Sequence, residues 1–137
     1  FLYTQDKFKV KWSELTMKRD EWKEIIHDAC VKAGTYRDFF EPVIDTLSGI
    51  MELRDNAQLK YEENGGETTV VHTNRGGSPN TVKNPALVVL MDCNAQALAY
   101  WRDLGLTPAG YKRLNATVVK EEEKGSLEGL LEKMMEG

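Results

Sequence analysis

The segment from Asn84 to Leu104 constrains the fold more than any other. Asn84-Pro85 is a helix entry: an amide cap is followed by a proline whose missing N–H is one the first turn would leave unpaired anyway. Apolar residues then recur without a break at three- and four-residue steps. Ala86, Leu90, Cys93, Ala97, Tyr100 and Leu104 form one seam, and Leu87, Met91, Asn94, Leu98 and Trp101 form the next. Two adjacent seams require cover on most of the circumference, so the segment is expected to be a central packing helix of about six turns.

The chain continues into LGLTPAGYKRL, Leu104 to Leu114. Gly105 fits the left-handed residue after a helix, Leu106 its accompanying apolar contact, and Thr107-Pro108 a new helix start. A DNA-reading helix-turn-helix would pair two short helices and offer the first residues of the second to base edges. Here the first helix is long and apolar. The face carrying Ala109, Gly110, Tyr111, Lys112 and Arg113 has no early Asn, Gln or Arg for bidentate base contact. The preferred reading is a reversal that folds a short helix back onto the long one, with Lys112 and Arg113 as candidate phosphate contacts.

Upstream, Trp22, Ile25, Ile26, Ala29, Cys30 and Ala33 recur at helical spacing behind Thr16, a candidate cap, and Gly34 ends the run. Thr35 with Asp38 at the third position reads as the start of a second helix reaching Glu63, in which Pro42 fits only the first turns or a kink. Tyr36, Phe40, Val43, Leu47, Ile50, Arg54, Ala57 and Tyr61 form one stripe along it, flanked by Phe39, Ile44 and Met51. That stripe is wider than the first helix covers, so it faces either the remaining helices or a neighbouring subunit. The β-branched run from Glu67 to Thr73, the turn-rich NRGGSPN and a return through Thr81 and Val82 suggest a hairpin or arm. Gly76 and Gly77 beside Arg75 lack the Walker pattern and read as a plain turn rather than a phosphate cradle.

The expected fold is therefore mainly α: a core of three principal helices, Thr16 to Ala33, Thr35 to Glu63 and Asn84 to Leu104, with a small hairpin and short C-terminal helices. The expected division is a basic arm over residues 1–15, a core and oligomerisation domain over 16–115 with the hairpin near 66–83, and an acidic tail over 116–137 with a short helix. In that tail Leu127, Leu130, Leu131 and Met134 lie at helical spacing, either as a docking helix or as a frayed end.

Net charge is -4, so any nucleic-acid contact must come from local patches. Lys7, Lys9, Lys11, Lys18, Arg19 and Lys23 make one such patch. Cys30 and Cys93 are far apart and fit buried thiols rather than a disulfide or a metal site. No apolar run is long enough for a membrane span and the start lacks the order of a secretion signal, which points to a cytosolic protein. Phe1 is not an initiator methionine, so part of the natural amino terminus is expected to be missing.

His27, Asp28 and Cys30 point in different directions on a helix, and His72 lies in the candidate strand. No GxSxG, HExxH, Walker or dinucleotide fingerprint is present. An enzyme is not expected, and neither a cofactor nor a metal is called for.

KNPAL, Lys83 to Leu87, with LGLTPAGYKRL one long helix later, resembles the P27-like family of bacteriophage terminase small subunits. The resemblance covers roughly Thr16 to Asn115. Where members carry an arginine soon after the Thr-Pro turn, this chain has Tyr111, then Lys112 and Arg113. The resemblance implies a non-catalytic genome-packaging factor in the cytoplasm of a bacterial host. Such a factor forms a homo-oligomeric ring, binds double-stranded viral DNA and brings it to the terminase large subunit. On that view the expected DNA contacts are Lys7, Lys9, Lys11, Lys18, Arg19, Lys23, Lys112 and Arg113, and the expected subunit interface uses Phe40, Leu47, Ile50, Met91, Leu98 and Trp101. The competing reading is a dimeric helix-turn-helix transcriptional regulator; a protein-only interaction module is a third.

Overall fold

A computed structural model describes residues 16–136, with the side chains of all but 117–119. Among these residues the elements occur in order: α1 (Arg19–Ala33), a 3-10 turn (Asp38–Phe40), α2 (Glu41–Glu63), β1 (Thr69–Thr73), β2 (Pro79–Lys83), α3 (Pro85–Asp103) and α4 (Pro108–Glu136). The mainly α class with three principal helices and a small hairpin is as the sequence indicates. The two helical pieces expected after Thr107 are parts of one helix of 29 residues. The expected tail boundary after residue 115 falls inside it.

The centre of packing lies in α2 rather than α3: both α1 and α3 pack on α2. Ile26 and Cys30 of α1, Ile44, Leu47 and Met51 of α2, Ala97 of α3 and Leu104 just beyond its end form the buried cluster, rimmed by Trp22, Phe40, Ile50 and Trp101 among others. In α3 the first seam is covered, burying Leu90, Cys93 and Ala97. The second is open along its middle, since among the described residues no element lies over Met91, 56% exposed, or Leu98, 50% exposed, while Trp101 at its end packs against the core.

Helix ends show where local signals hold and where tertiary partners replace them. Thr16 does not cap α1; Lys18 occupies the N-cap without a side-chain bond. The free N–H groups are met from α2 instead, Arg19 N–H donating to Glu52 Oε2 at 2.7 Å and Met17 N–H to Asp55 Oδ2 at 3.3 Å. Thr35 caps no helix either. Gly34 adopts φ 74° and ends α1 in a Schellman motif, with Thr35 N–H on the Cys30 carbonyl and Gly34 N–H on that of Val31. The chain then stays extended to Arg37, and α2 proper starts at Glu41 with Pro42 in its first turn, where a missing donor costs nothing.

Asn84 has a larger role than a cap. Its side chain is fully buried; Oδ1 accepts from Ala86 N–H at 3.1 Å and from Asn64 Nδ2 at 3.5 Å, while Nδ2 donates to the Glu67 carbonyl at 2.9 Å. One amide thus ties the end of α2, the root of the hairpin and the start of α3, with its oxygen and nitrogen both paired as burial demands.

β1 and β2 pair antiparallel, Thr69 opposite Lys83 through Thr73 opposite Pro79. The strands are exposed except for half-buried Val70 and Val82, which share one face.

Candidate DNA-binding and assembly surfaces

The reversal at Leu104 to Leu114 is fixed by backbone chemistry. Gly105 has φ 74°, Leu106 N–H donates to the Trp101 carbonyl at 2.8 Å and Gly105 N–H to that of Arg102 at 3.0 Å, a second Schellman motif. Thr107 Oγ1 accepts from Gly110 N–H at 3.0 Å and so caps α4 behind Pro108. Gly110, expected on an exposed face, is buried: a Cβ there would overlap the Arg102 carbonyl oxygen. At Gly105 a Cβ would come within 2.8 Å of Thr35 Cγ2 and 2.7 Å of Leu114 Cδ1. The first turn of α4 is therefore seated against the end of α3. Ala109, Tyr111, Lys112 and Arg113 remain outward, and Arg113 Nη2 lies 3.6 Å from Asp103 Oδ1.

Of the other basic residues singled out, Lys7, Lys9 and Lys11 lie outside the described residues. Lys18 is exposed. Arg19 is engaged: its Nη2 and Nε reach the two oxygens of Asp45 at 2.7 and 3.2 Å, and its guanidinium lies over Gly49. Lys23 stands 4.0 Å from Glu41 and 3.9 Å from Asp45. α1 thus presents Arg19 and Lys23 to the carboxylates of α2, which cancels much of their field before any phosphate could feel it. Both partners of the Arg19 pair are nearly half exposed, so its contribution to stability is small.

The residues assigned to an assembly face divide. Met91 and Leu98 are exposed on α3, with half-buried Leu87 beside them. Phe40, Ile50 and Trp101 are half-buried against the protomer's own core. Leu47 is completely buried. It lies inside the protomer and presents nothing to a neighbour while the fold is intact.

The His27, Asp28, Cys30 grouping does not converge. His27 packs edge-on against Tyr36, with Nδ1 3.6 Å from Asp28 and Nε2 3.9 Å from Glu41, while Cys30 is sealed in the core. Tyr36 donates to Glu41 Oε1 at 2.8 Å, and this bond is the first cause pushing its phenol up to about 12. Burial pushes the Cys30 and Cys93 thiols up, away from nucleophilic character. Among the described residues no group of three or more His, Cys, Asp and Glu is arranged to hold a metal ion, and no helix is long and apolar enough to cross a membrane.

Sequence reasoning passed over Asp55. It is buried on α2 between Met51 and Ala57, and its Oδ2 accepts from Trp22 Nε1 at 2.8 Å as well as from Met17 N–H. Arg54 Nε lies 3.0 Å from Oδ1 without hydrogen-bond alignment, and the Arg54 guanidinium sits 5.7 Å from the centre of the Trp22 ring. A carboxylate on an otherwise buried helix face requires such partners. That was the available signal.

Among the described residues these features make a helical scaffold: a three-helix core, a projecting hairpin, an outlying helix and an exposed apolar flank. Residues 19–121 match the family described as phage terminase, small subunit, and the chain belongs to that family. No curated protein and no solved structure matches it.

Proposed function

We propose that this chain is the non-catalytic DNA-packaging factor of a phage terminase, of the P27-like kind, and that it works as a closed ring of identical subunits. The observation that carries the reading is the open second seam of α3 on a chain of this family. A flank holding Met91 and Leu98, with half-buried Leu87 beside them, leaves apolar surface in water that a neighbouring copy would cover, and repetition of one head-to-tail contact closes a ring. Native mass spectrometry across protein concentrations tests it. A closed assembly of many copies is expected; a stable dimer would favour a helix-turn-helix regulator instead, and a monomer would remove the mechanism.

DNA binding in this reading is multivalent. Each copy contributes a few phosphate contacts, and the ring repeats them on one surface. The contacts proposed are Lys7, Lys9, Lys11 and Lys18, with Lys112 and Arg113 on α4; Arg19 and Lys23 contribute less because carboxylates already pair them. Replacing Lys7, Lys9, Lys11 and Lys18 by Ala is expected to weaken duplex binding and flatten its salt dependence, by about 0.9 in log–log slope for each phosphate no longer neutralised. An unchanged slope would reject this assignment.

The large subunit is proposed to dock on the far end of α4, where Leu127, Leu130, Leu131 and Met134 are all exposed on a helix that has left the core. Such a stripe offers anchors at the spacing a groove-binding helix uses. Removing residues 126–137 is expected to abolish capture of the large subunit while leaving assembly and DNA binding intact; retained capture would place the contact elsewhere.

A further inference from the structure

The hairpin stands out from the electrostatics of the rest of the chain. Between Glu67 and Asp92 there is no acidic residue, the longest such interval in a sequence with 22 of them, and it includes the whole hairpin with His72, Arg75 and Lys83. Two strands alone are at best marginally stable in water. This pair is held at its root instead, where Asn84 N–H donates to the Thr68 carbonyl at 2.9 Å, Asn84 Nδ2 to that of Glu67, and Tyr61 Oη to that of Gly66 at 2.7 Å.

At the tip, Asn74 organises the turn. Its Oδ1 accepts from Gly76 and Ser78 N–H, both at 3.1 Å, and its carbonyl from Gly77 N–H at 3.0 Å. Those N–H groups are used within the turn, so the loop is no phosphate cradle. Its effect is to hold Arg75 at the extremity, exposed and without an ion pair among the described residues.

The two faces differ. Val70 and Val82 share the half-buried side with His72 and Asn80, whereas Thr69, Val71, Thr73, Thr81 and Lys83 share the fully exposed side. That outward side is rich in hydroxyls and methyl groups, with Val71 70% exposed; its one charge is Lys83 at the root, and Arg75 lies beyond the other end. Strands of five residues span about 17 Å. Strand addition by another chain is disfavoured along β2, because Pro79 and Lys83 are edge-blunting residues.

We propose that this hairpin is a DNA-contacting ribbon. Its outward face enters a groove of double-stranded DNA, and Arg75 and Lys83 meet the flanking phosphates. A two-stranded ribbon fits the major groove, about 12 Å wide, where threonine hydroxyls and valine or threonine methyls can meet base edges and thymine methyls. The proposal rests on the reading of the chain as a DNA-binding terminase subunit and adds a site to it.

The test compares the full chain with Arg75→Ala/Lys83→Ala, both side chains being exposed, by fluorescence anisotropy on a short DNA duplex over a range of salt. Native mass and helicity are measured in parallel. The expected result is affinity at least about tenfold weaker and a log–log salt slope shallower by about 1.8, two phosphates at about 0.9 each, with mass and helicity unchanged. If the parent chain binds the duplex and the variant binds equally with the same slope, the hairpin proposal fails while the DNA-binding reading stands. If the variant loses assembled mass but keeps its affinity, the hairpin is a subunit contact and the proposal is overturned. If the parent chain does not bind the duplex at all, or binds RNA in preference, the reading beneath the proposal fails with it.

Discussion

Leu47→Asp is expected to abolish the folded protomer, while Leu98→Asp leaves it folded and lowers its assembled mass. Leu47 is fully buried in the cluster with Ile26, Cys30, Ile44 and Met51, and no cation in that cluster could serve a carboxylate. An unpaired buried charge costs several kcal/mol, a large share of the roughly 5–15 kcal/mol that holds a typical domain together. Leu98 is half exposed on the open flank of α3, so an aspartate there stays hydrated in a single copy and loses its water only if a neighbour covers it. Far-UV circular dichroism reads the first effect and native mass spectrometry the second. A full-sized assembly of Leu98→Asp would show that this flank is not where copies meet, and loss of helicity would show that Leu98 supports the protomer fold rather than a contact between copies.

The contrast between these two leucines marks the reach of a single sequence. Periodicity locates every principal helix, because burying an apolar stripe is the main determinant of where a helix lies. The Asn84-Pro85 entry and the Gly34 and Gly105 stops are legible because each has a local backbone signature, whatever tertiary contacts it also makes. Periodicity does not say which neighbour covers a stripe. Leu47 and Leu98 both read as interface positions, and only the packing of α1 and α3 on α2 separates core from open flank.

Caps at Thr16 and Thr35 fail for a related reason. Glu52 and Asp55, more than thirty residues away in sequence, supply the bonds that a local hydroxyl is expected to make at the start of α1. Charge is similarly misleading. Arg19 and Lys23 look like part of a basic patch in the linear sequence, but Glu41 and Asp45 lie against them once α1 packs on α2. The hairpin, by contrast, has few tertiary partners among the described residues, and its strands, free of acidic residues in sequence, stay exposed.

Gly110→Ala is expected to destabilise the joint between α3 and α4, although intrinsic propensity predicts the opposite sign. In an exposed helix, replacing Gly by Ala stabilises by about 1 kcal/mol. Gly125 and Gly129 have open space where a Cβ would go, so the same replacement there should raise the helicity of α4. At Gly110 the new methyl would meet the Arg102 carbonyl, with Arg102 C at 2.9 Å and Cα at 3.0 Å, and backbone cannot rotate aside as a side-chain tip can. Relief requires α4 to shift off α3, which strains the Thr107 cap and the contact of Leu114 over Gly105. The overpacking term, about 1–3 kcal/mol, should exceed the propensity gain and lower the thermal midpoint. Protease sensitivity should rise between Leu104 and Leu114. Should Gly110→Ala instead behave like Gly125→Ala, gaining helicity with no loss of stability, the first turn of α4 would not be seated on α3, and LGLTPAGYKRL would regain the freedom that a recognition helix requires.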